Sequence, residues 1–176
     1  MKKGAVELSI NTLVVIILAL VILGMGITFL YKLIGNATDL KTTLDARTQE
    51  ELLHLLVDEG KQVALPFRQA TIERSKNHIF GIGINNIGDK DQFHLEAKLL
   101  KVVKDKEDVT DEVSGTQTWL LYPKEPFELG ENEHHTQGIA VIVPPDALPA
   151  QYTFEVRVFS SVGQYGNVQN IIVDVR

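Results

Sequence analysis

Phe93-His94-Leu95-Glu96-Ala97-Lys98-Leu99 alternates apolar and polar side chains without a break. Successive side chains of a strand point to opposite faces, so this spacing predicts a half-buried antiparallel strand. The same period extends toward the N-terminus. Ile79, Phe80, Ile82 and Ile84 precede a turn over Asn85–Gly88, and an earlier strand from Lys61 onward is broken at Pro66. On the C-terminal side, Lys101–Gln117 reads as a charged connection and Thr118–Pro123 as a further strand. Ile139–Val143, Tyr152–Phe159 and Val168–Val175 then alternate with turns rich in Pro, Gly and Asp. Six or seven short strands with turns at this spacing predict a β-sandwich over residues 62–176.

Before the sandwich the period becomes helical. Leu40, Leu44, Leu52 and Leu56 fall at steps of four, with Thr48 in the gap. Thr48-Gln49-Glu50-Glu51 fits a capping box opening a final helix, and Gly60 fits its C′ position. Residues 35–61 therefore read as a short amphipathic stalk, lying against the sandwich or against neighbouring helices. His54, within the Leu52–Val57 apolar patch, is expected to be a half-buried packing residue.

Further back, Ile10–Ile34 reads INTLVVIILALVILGMGITFLYKLI, and no charged residue lies between Glu7 and Lys32. Roughly 20 apolar residues suffice to cross a bilayer core as a helix. Lys2 and Lys3 before the run place the N-terminus in the cytoplasm and the C-terminal part outside the cell. Gly24 and Gly26 are spaced G-x-G, so no G-x-x-x-G dimer motif is present. Asn36-Ala37-Thr38 is an N-x-[ST] sequon on the outer side, which makes Asn36 the glycosylation candidate. The fold class is α+β: a long hydrophobic helix, a helical stalk and an all-β sandwich.

Composition narrows the function. The 176 residues carry a net charge of −6, and from Gln62 onward 11 basic residues face 16 acidic ones. An acidic globular part argues against nucleic acid as partner, because phosphate neutralisation requires clustered Lys and Arg. There is no cysteine, so disulfides and thiolate chemistry are excluded.

The extreme N-terminus, Met1-Lys2-Lys3-Gly4-Ala5-Val6-Glu7, abuts the apolar run directly. This resembles the class III signal of archaeal type IV pilins and archaellins, in which a short basic leader ends in glycine. The resemblance implies cleavage by a prepilin peptidase between Gly4 and Ala5, with Lys2 and Lys3 as recognition residues. It also implies self-association of the helices (residues 5–34 after loss of 1–4) into a filament core. Gly4 suits a protease cleft because it leaves helical geometry at little cost. The sequence departs from bacterial pilins in one respect: Ser9 occupies the fifth position after the cut, and Glu7 the third. Glu7 has two readings, an assembly carboxylate pairing with the α-amino group of Ala5 or an acid suited to the helix dipole. Phe80–Gly88, Phe127–Glu133 and Val143–Val158 resemble the immunoglobulin-like sandwiches of surface proteins, which implies an immunoglobulin-like head.

No chemistry is expected. The acidic run from Asp105 to Glu112 lacks the glycine and terminal glutamate spacing of an EF-hand. His134 and His135 are adjacent, so a strand would send them to opposite faces. Gly81, Gly83 and Gly88 read as strand and turn geometry, and Trp119 as core filler. Catalytic, cofactor and metal residues are expected to be absent. The first reading is a filament subunit, and the alternatives are an uncleaved single-pass surface protein with a binding sandwich and an accessory pilin.

Overall fold

The computed structural model describes Val15, Ile16, Leu18 and Ala19, and residues 44–176. Its contacts define two compact units, Met1–Thr38 and Asp39–Arg176. In the first, the four described residues are helical and exposed. The run Ile10–Ile34 otherwise lies outside the described residues. Among those residues, no helix is long and apolar enough to cross a membrane.

The second unit is mostly β, with one short helix before two sheets. The helix, α1 (Ala46–Leu53), is capped by Asp45, whose Oδ1 accepts from the Thr48 amide at 2.7 Å. Asp45 is therefore the N-cap in place of Thr48. Thr48 is instead an interior helical residue, buried at 7% exposure. A π-helical turn, His54–Asp58, continues α1, and Gly60 closes it at φ +66°. Only glycine adopts that φ without strain, so the expected C′ residue is in place. His54 is exposed and faces Glu59 at 3.7 Å, so it is not the half-buried packing residue expected.

The first sheet has the order β1 (Val63–Ala64), β3 (Asn77–Asn85), β8 (His134–Ile142), β6 (Leu120–Leu121). The second runs β2 (Gln69–Ile72), β10 (Gly163–Val175), β9 (Gln151–Ser160), β4 (Asp91–Lys104), β5 (Glu107–Asp108). In addition, β7 (Phe127–Leu129) pairs with the start of β4. Taken in chain order, the two paths reproduce the A-B-E-D and G-F-C strand orders of an immunoglobulin-like sandwich. Pro66 lies between β1 and β2, where its missing N–H ends one strand and lets the chain change sheets. The crossing makes β2 parallel to β10, a departure from the purely antiparallel sandwich expected.

The core follows from strand parity. Phe80, Ile82 and Ile84 of β3 meet Tyr152, Phe154, Val156 and Val158 of β9 in one buried cluster. Trp119 joins it, 4.7 Å from the Tyr152 ring. On β4 the inward set is Phe93, Leu95, Ala97 and Leu99 until a bulge leaves Leu100 as an extra residue. The bulge reverses the parity, so Val102 is buried and Leu100 is 48% exposed.

The charged connection holds more structure than its composition indicates. β4 continues to Lys104 and turns back through Asp105 and Lys106, at φ 51° and 75°, into β5. Positive φ at both central residues is the type I′ hairpin geometry that matches strand twist. The far edge of β4 is covered along its length by β7, by the Tyr122 hydroxyl accepting from the Ala97 amide at 3.0 Å, and by β5. Covering an edge removes a template for unwanted pairing.

On the outer face of the first sheet, β3 presents Gly81 and Gly83 where its inner face presents Phe80, Ile82 and Ile84. A Cβ on Gly81 would lie 2.5 Å from Thr48 Cγ2, and one on Gly83 would lie 2.6 Å from Leu56 Cδ1. Leu44, Leu52, Leu56 and Ala64 form a second buried cluster there. These glycines are therefore more than strand geometry, because they let a helix lie directly on a strand. Gly81→Ala is expected to cost about 1–3 kcal/mol by overpacking. Gly83→Ala should cost less, since the end of Leu56 can rotate away. Adding Thr48→Ala to Gly81→Ala should recover part of the loss, with a coupling above about 0.5 kcal/mol. Denaturant unfolding followed by fluorescence of the single tryptophan measures these three variants and Thr48→Ala alone, which closes the double-mutant cycle.

Candidate functional site

The residues singled out for processing and assembly, Lys2, Lys3, Gly4, Ala5 and Glu7, lie outside the described residues, as does the sequon at Asn36. What the structure does place is the surface built around the docked helix and the two ends of the sandwich.

The stripe that seats α1 uses only part of its circumference. Leu53 and Val57, four residues apart, are 43% and 60% exposed. Gln49 and Leu53 form one wall of a recess of about 410 Å³, and His134, His135 and Thr136 of β8 form the other. His134 is exposed, while the His135 ring packs on Phe127 at 4.3 Å. The two imidazoles thus serve different surroundings, as their strand positions require. At the helix N-terminus the Arg47 guanidinium lies 5.4 Å from the centre of the Phe67 ring.

At the opposite pole from the helix N-terminus, three loops are tied together. Asn86, 2% exposed, donates through Nδ2 to the carbonyls of Asp89, Leu129 and Gly130 at 2.8, 3.1 and 3.1 Å. Its Oδ1 accepts from Gly88, and its backbone exchanges bonds with Glu133 and Asn132. The Tyr165 hydroxyl donates to the Asn85 carbonyl at 2.8 Å and accepts from the Ile87 amide. Asp91 accepts from Ser161, joining the β9–β10 hairpin tip to the same knot. The sequence marks Asn85–Gly88 as a turn, but nothing local signals that Asn86 would gather a loop more than forty residues away.

The titratable groups with displaced equilibria have structural partners. Hydrogen bonds from Thr48 hold the Asp45 carboxyl below its ordinary value, and those of Thr110 do the same for Asp108. Arg157, at 2.8 Å, lowers Glu155, with Lys98 assisting from 3.5 Å. Burial lowers the His78 imidazole, which lies over Phe80 at 4.8 Å, and Asp45 partly opposes the shift. Each of these carboxylates caps a turn or closes an ion pair. Among the described residues, no three His, Asp or Glu side chains gather as metal ligands.

No protein-family model matches the chain, and no curated protein matches it. Among solved structures it is similar to a family 123 glycoside hydrolase from Clostridium perfringens, with 9% identity and a TM-score of 0.46. That match covers 64% of this chain and 23% of the hydrolase, so the chain spans under a quarter of that enzyme. It is also similar to the SrpA adhesin of Streptococcus sanguinis, at 17% identity and a TM-score of 0.43, over 65% of this chain and 56% of the adhesin. A PapD-like domain of human CEP192 aligns at 11% identity and a TM-score of 0.42, over 66% of this chain and 84% of that domain. Likeness at this level carries no argument about activity, ligand or assembly.

The loop knot makes a stability prediction. Asn86→Ala removes the side-chain donor that the Asp89, Leu129 and Gly130 carbonyls share, of which Gly130 keeps the Glu133 amide, and should cost about 1–3 kcal/mol. Asn86→Asp places a carboxyl among those carbonyls, which raises its folded pKa above the unfolded value of about 3.9. A raised carboxyl pKa makes the deficit smallest below that pH and larger as pH rises toward the folded pKa. Unfolding titrations at pH 4 and pH 7, each against wild type, should therefore show Asn86→Asp relatively worse at pH 7.

Proposed function

We propose that this chain is a structural, non-enzymatic subunit of an archaeal type IV pilus-like surface filament, processed by a prepilin peptidase after Gly4. The observation that carries the reading is the Lys2-Lys3-Gly4|Ala5 junction, set directly before a run without charge from Leu8 to Tyr31. Removal of the lysines leaves an apolar helix whose environment changes from lipid to other copies of itself. Glu7 then lies close to the new α-amino group, within reach of its own or a neighbouring terminus. The N-terminus begins in the cytoplasm, the sandwich stands outside the cell, and the processed protein ends in an extracellular filament.

The domain plan of this reading is a leader over 1–4, a core helix over 5–34, a helical segment over 35–61 and a head over 62–176. A head suited to this role has to fold without disulfides and keep its sheet edges covered. This sandwich has no cysteine, and β5 and β7 occupy the β4 edge. The alternatives differ at one bond. If Gly4–Ala5 stays intact, the same residues make a single-pass anchor that displays the sandwich as a binding domain. If the bond is cut but copies are few, the chain is an accessory pilin.

Co-expression with a prepilin peptidase, followed by mass spectrometry of the N-terminal peptide, tests the reading. The expected mature terminus is Ala5, and Gly4→Val should leave the leader attached. An intact Lys2-Lys3-Gly4 terminus in the wild-type protein would overturn it. Electron microscopy of sheared surface material then separates a bulk subunit, present along whole filaments, from an accessory one.

A further inference from the structure

We infer that the recess between the Thr110–Trp119 segment and the Pro144–Leu148 turn is a binding site for one unit of a neutral sugar. The inference goes beyond the filament reading, and it holds equally for a filament subunit and for an anchored surface protein.

The recess has a volume of about 310 Å³, at the lower end of the roughly 300–1,000 Å³ usual for small-ligand sites. Two stretches of chain build its walls. The 3-10 turns Thr110–Glu112 and Thr116–Trp119 bring Glu112, Ser114 and Trp119 to one side. The other side holds Asp146 among the apolar groups of Pro144, Ala147 and Leu148. Both walls are fixed by hydrogen bonds. Thr118 donates twice to the Gly115 carbonyl, from its amide at 3.1 Å and its hydroxyl at 2.8 Å. The Ala147 amide donates to the Pro144 carbonyl at 3.3 Å, and the Tyr152 hydroxyl to the Leu148 carbonyl at 2.9 Å. A site held in this way loses little freedom when it is filled.

Trp119 carries the argument. It is 5% exposed and its ring lies 4.7 Å from that of Tyr152, yet its indole N–H has no acceptor among the described residues. The nitrogen is not sealed from solvent, so the donor opens on the recess that the side chain lines. A buried indole N–H ordinarily finds a partner, and a phenylalanine would fill this part of the core with no donor to satisfy.

The unmet groups define the ligand. The carboxylates of Glu112 and Asp146 are exposed, and neither enters an ion pair or a side-chain hydrogen bond among the described residues. A cation would answer the two carboxylates and offer nothing to the indole, which is a donor only. An anion would answer the indole and be repelled by the carboxylates. A hydroxyl donates and accepts at one atom, so neighbouring hydroxyls can serve the carboxylates and the indole together. A pyranose carries such hydroxyls around its rim and C–H groups on its faces, which suit Pro144, Ala147 and Leu148.

The chain has one tryptophan, so its indole N–H gives a single resonance in a proton–nitrogen correlation spectrum and reports from the site itself. The full chain, in a detergent without sugar headgroups, is titrated with the methyl glycosides of glucose, galactose, mannose and N-acetylglucosamine. At least one glycoside should move the indole resonance to saturation, with a dissociation constant in the millimolar range. Asp146→Asn with Glu112→Gln should weaken that binding about tenfold, while the amide resonances of the sheets stay in place. No shift with any of the four glycosides, or an equal affinity in the double variant, would overturn the inference. So would a response to calcium chloride or to N-methylacetamide in place of the glycosides, since these mark a cation or a peptide site.

Discussion

The contact on which the rest of this unit depends is the approach of a helix to bare backbone at Gly81 and Gly83. A helix carried over a strand by side chains on both partners would stand several ångströms further off. Here Thr48 and Leu56 occupy the space where β-carbons would be. Leu44, Leu52 and Leu56 thereby lose nearly all their exposure against a surface that contributes almost no side chains of its own. At about 25 cal/mol per Å² of apolar area, three leucines on one face are enough to outweigh the intrinsic weakness of an eight-residue helix. The same contact makes β3 a strand buried on both faces, which is why its sequence reads FGIGI instead of apolar and polar in turn.

Other features follow from that arrangement. With one face of the first sheet covered by α1 and the other packed on the second sheet, the exposed surface is made by the outer side of α1, the outer face of the second sheet and the loop ends. The outer face of the second sheet is tied by polar ladders, such as Gln69–Asp174–Gln151 across three strands and Lys98–Glu155–Arg157 across two. These hold strands in register more than they present chemistry. The ends differ in kind: one is a knot of loops with exposed apolar residues and acids, and the other is a shallow recess where Lys104 and Arg176 stand beside Asp105 and Asp174.

The sequence makes much of this legible where the cause is local. Strand periodicity placed β3, β4, β8, β9 and β10, and Pro66 marked the break between β1 and β2. The leucine stripe at steps of four named the buried face of the helix, including Thr48 in its gap. What it did not reveal has its cause elsewhere in the chain. Gly81 looks like a strand glycine until Thr48, more than thirty residues earlier, is seen above it. Asp45 and Thr48 are both good cap residues, and only the fact that Thr48 faces the sheet decides between them. The hairpin through Asp105-Lys106 lacks the Asn-Gly or Asp-Gly signal its geometry favours. The parallel pairing of β2 depends on the last strand, which local patterning cannot reach. The residues of the processing junction were legible through resemblance alone. The recess at the other end was not legible at all, since 103–105, 149–151 and 174–176 meet there from distant parts of the chain.

The seating of α1 on the glycine face is the most direct point of test. Nuclear Overhauser contacts between the Thr48 γ-methyl and the Gly81 α-protons, and between Leu56 methyls and Gly83 α-protons, measure it without mutation. Both sets should appear as strong cross-peaks, and amides of residues 49–53 should exchange slowly with the sheet. Absence of both contacts, with those amides exchanging as fast as the loop at Gly115, would contradict a helix that belongs to the sandwich.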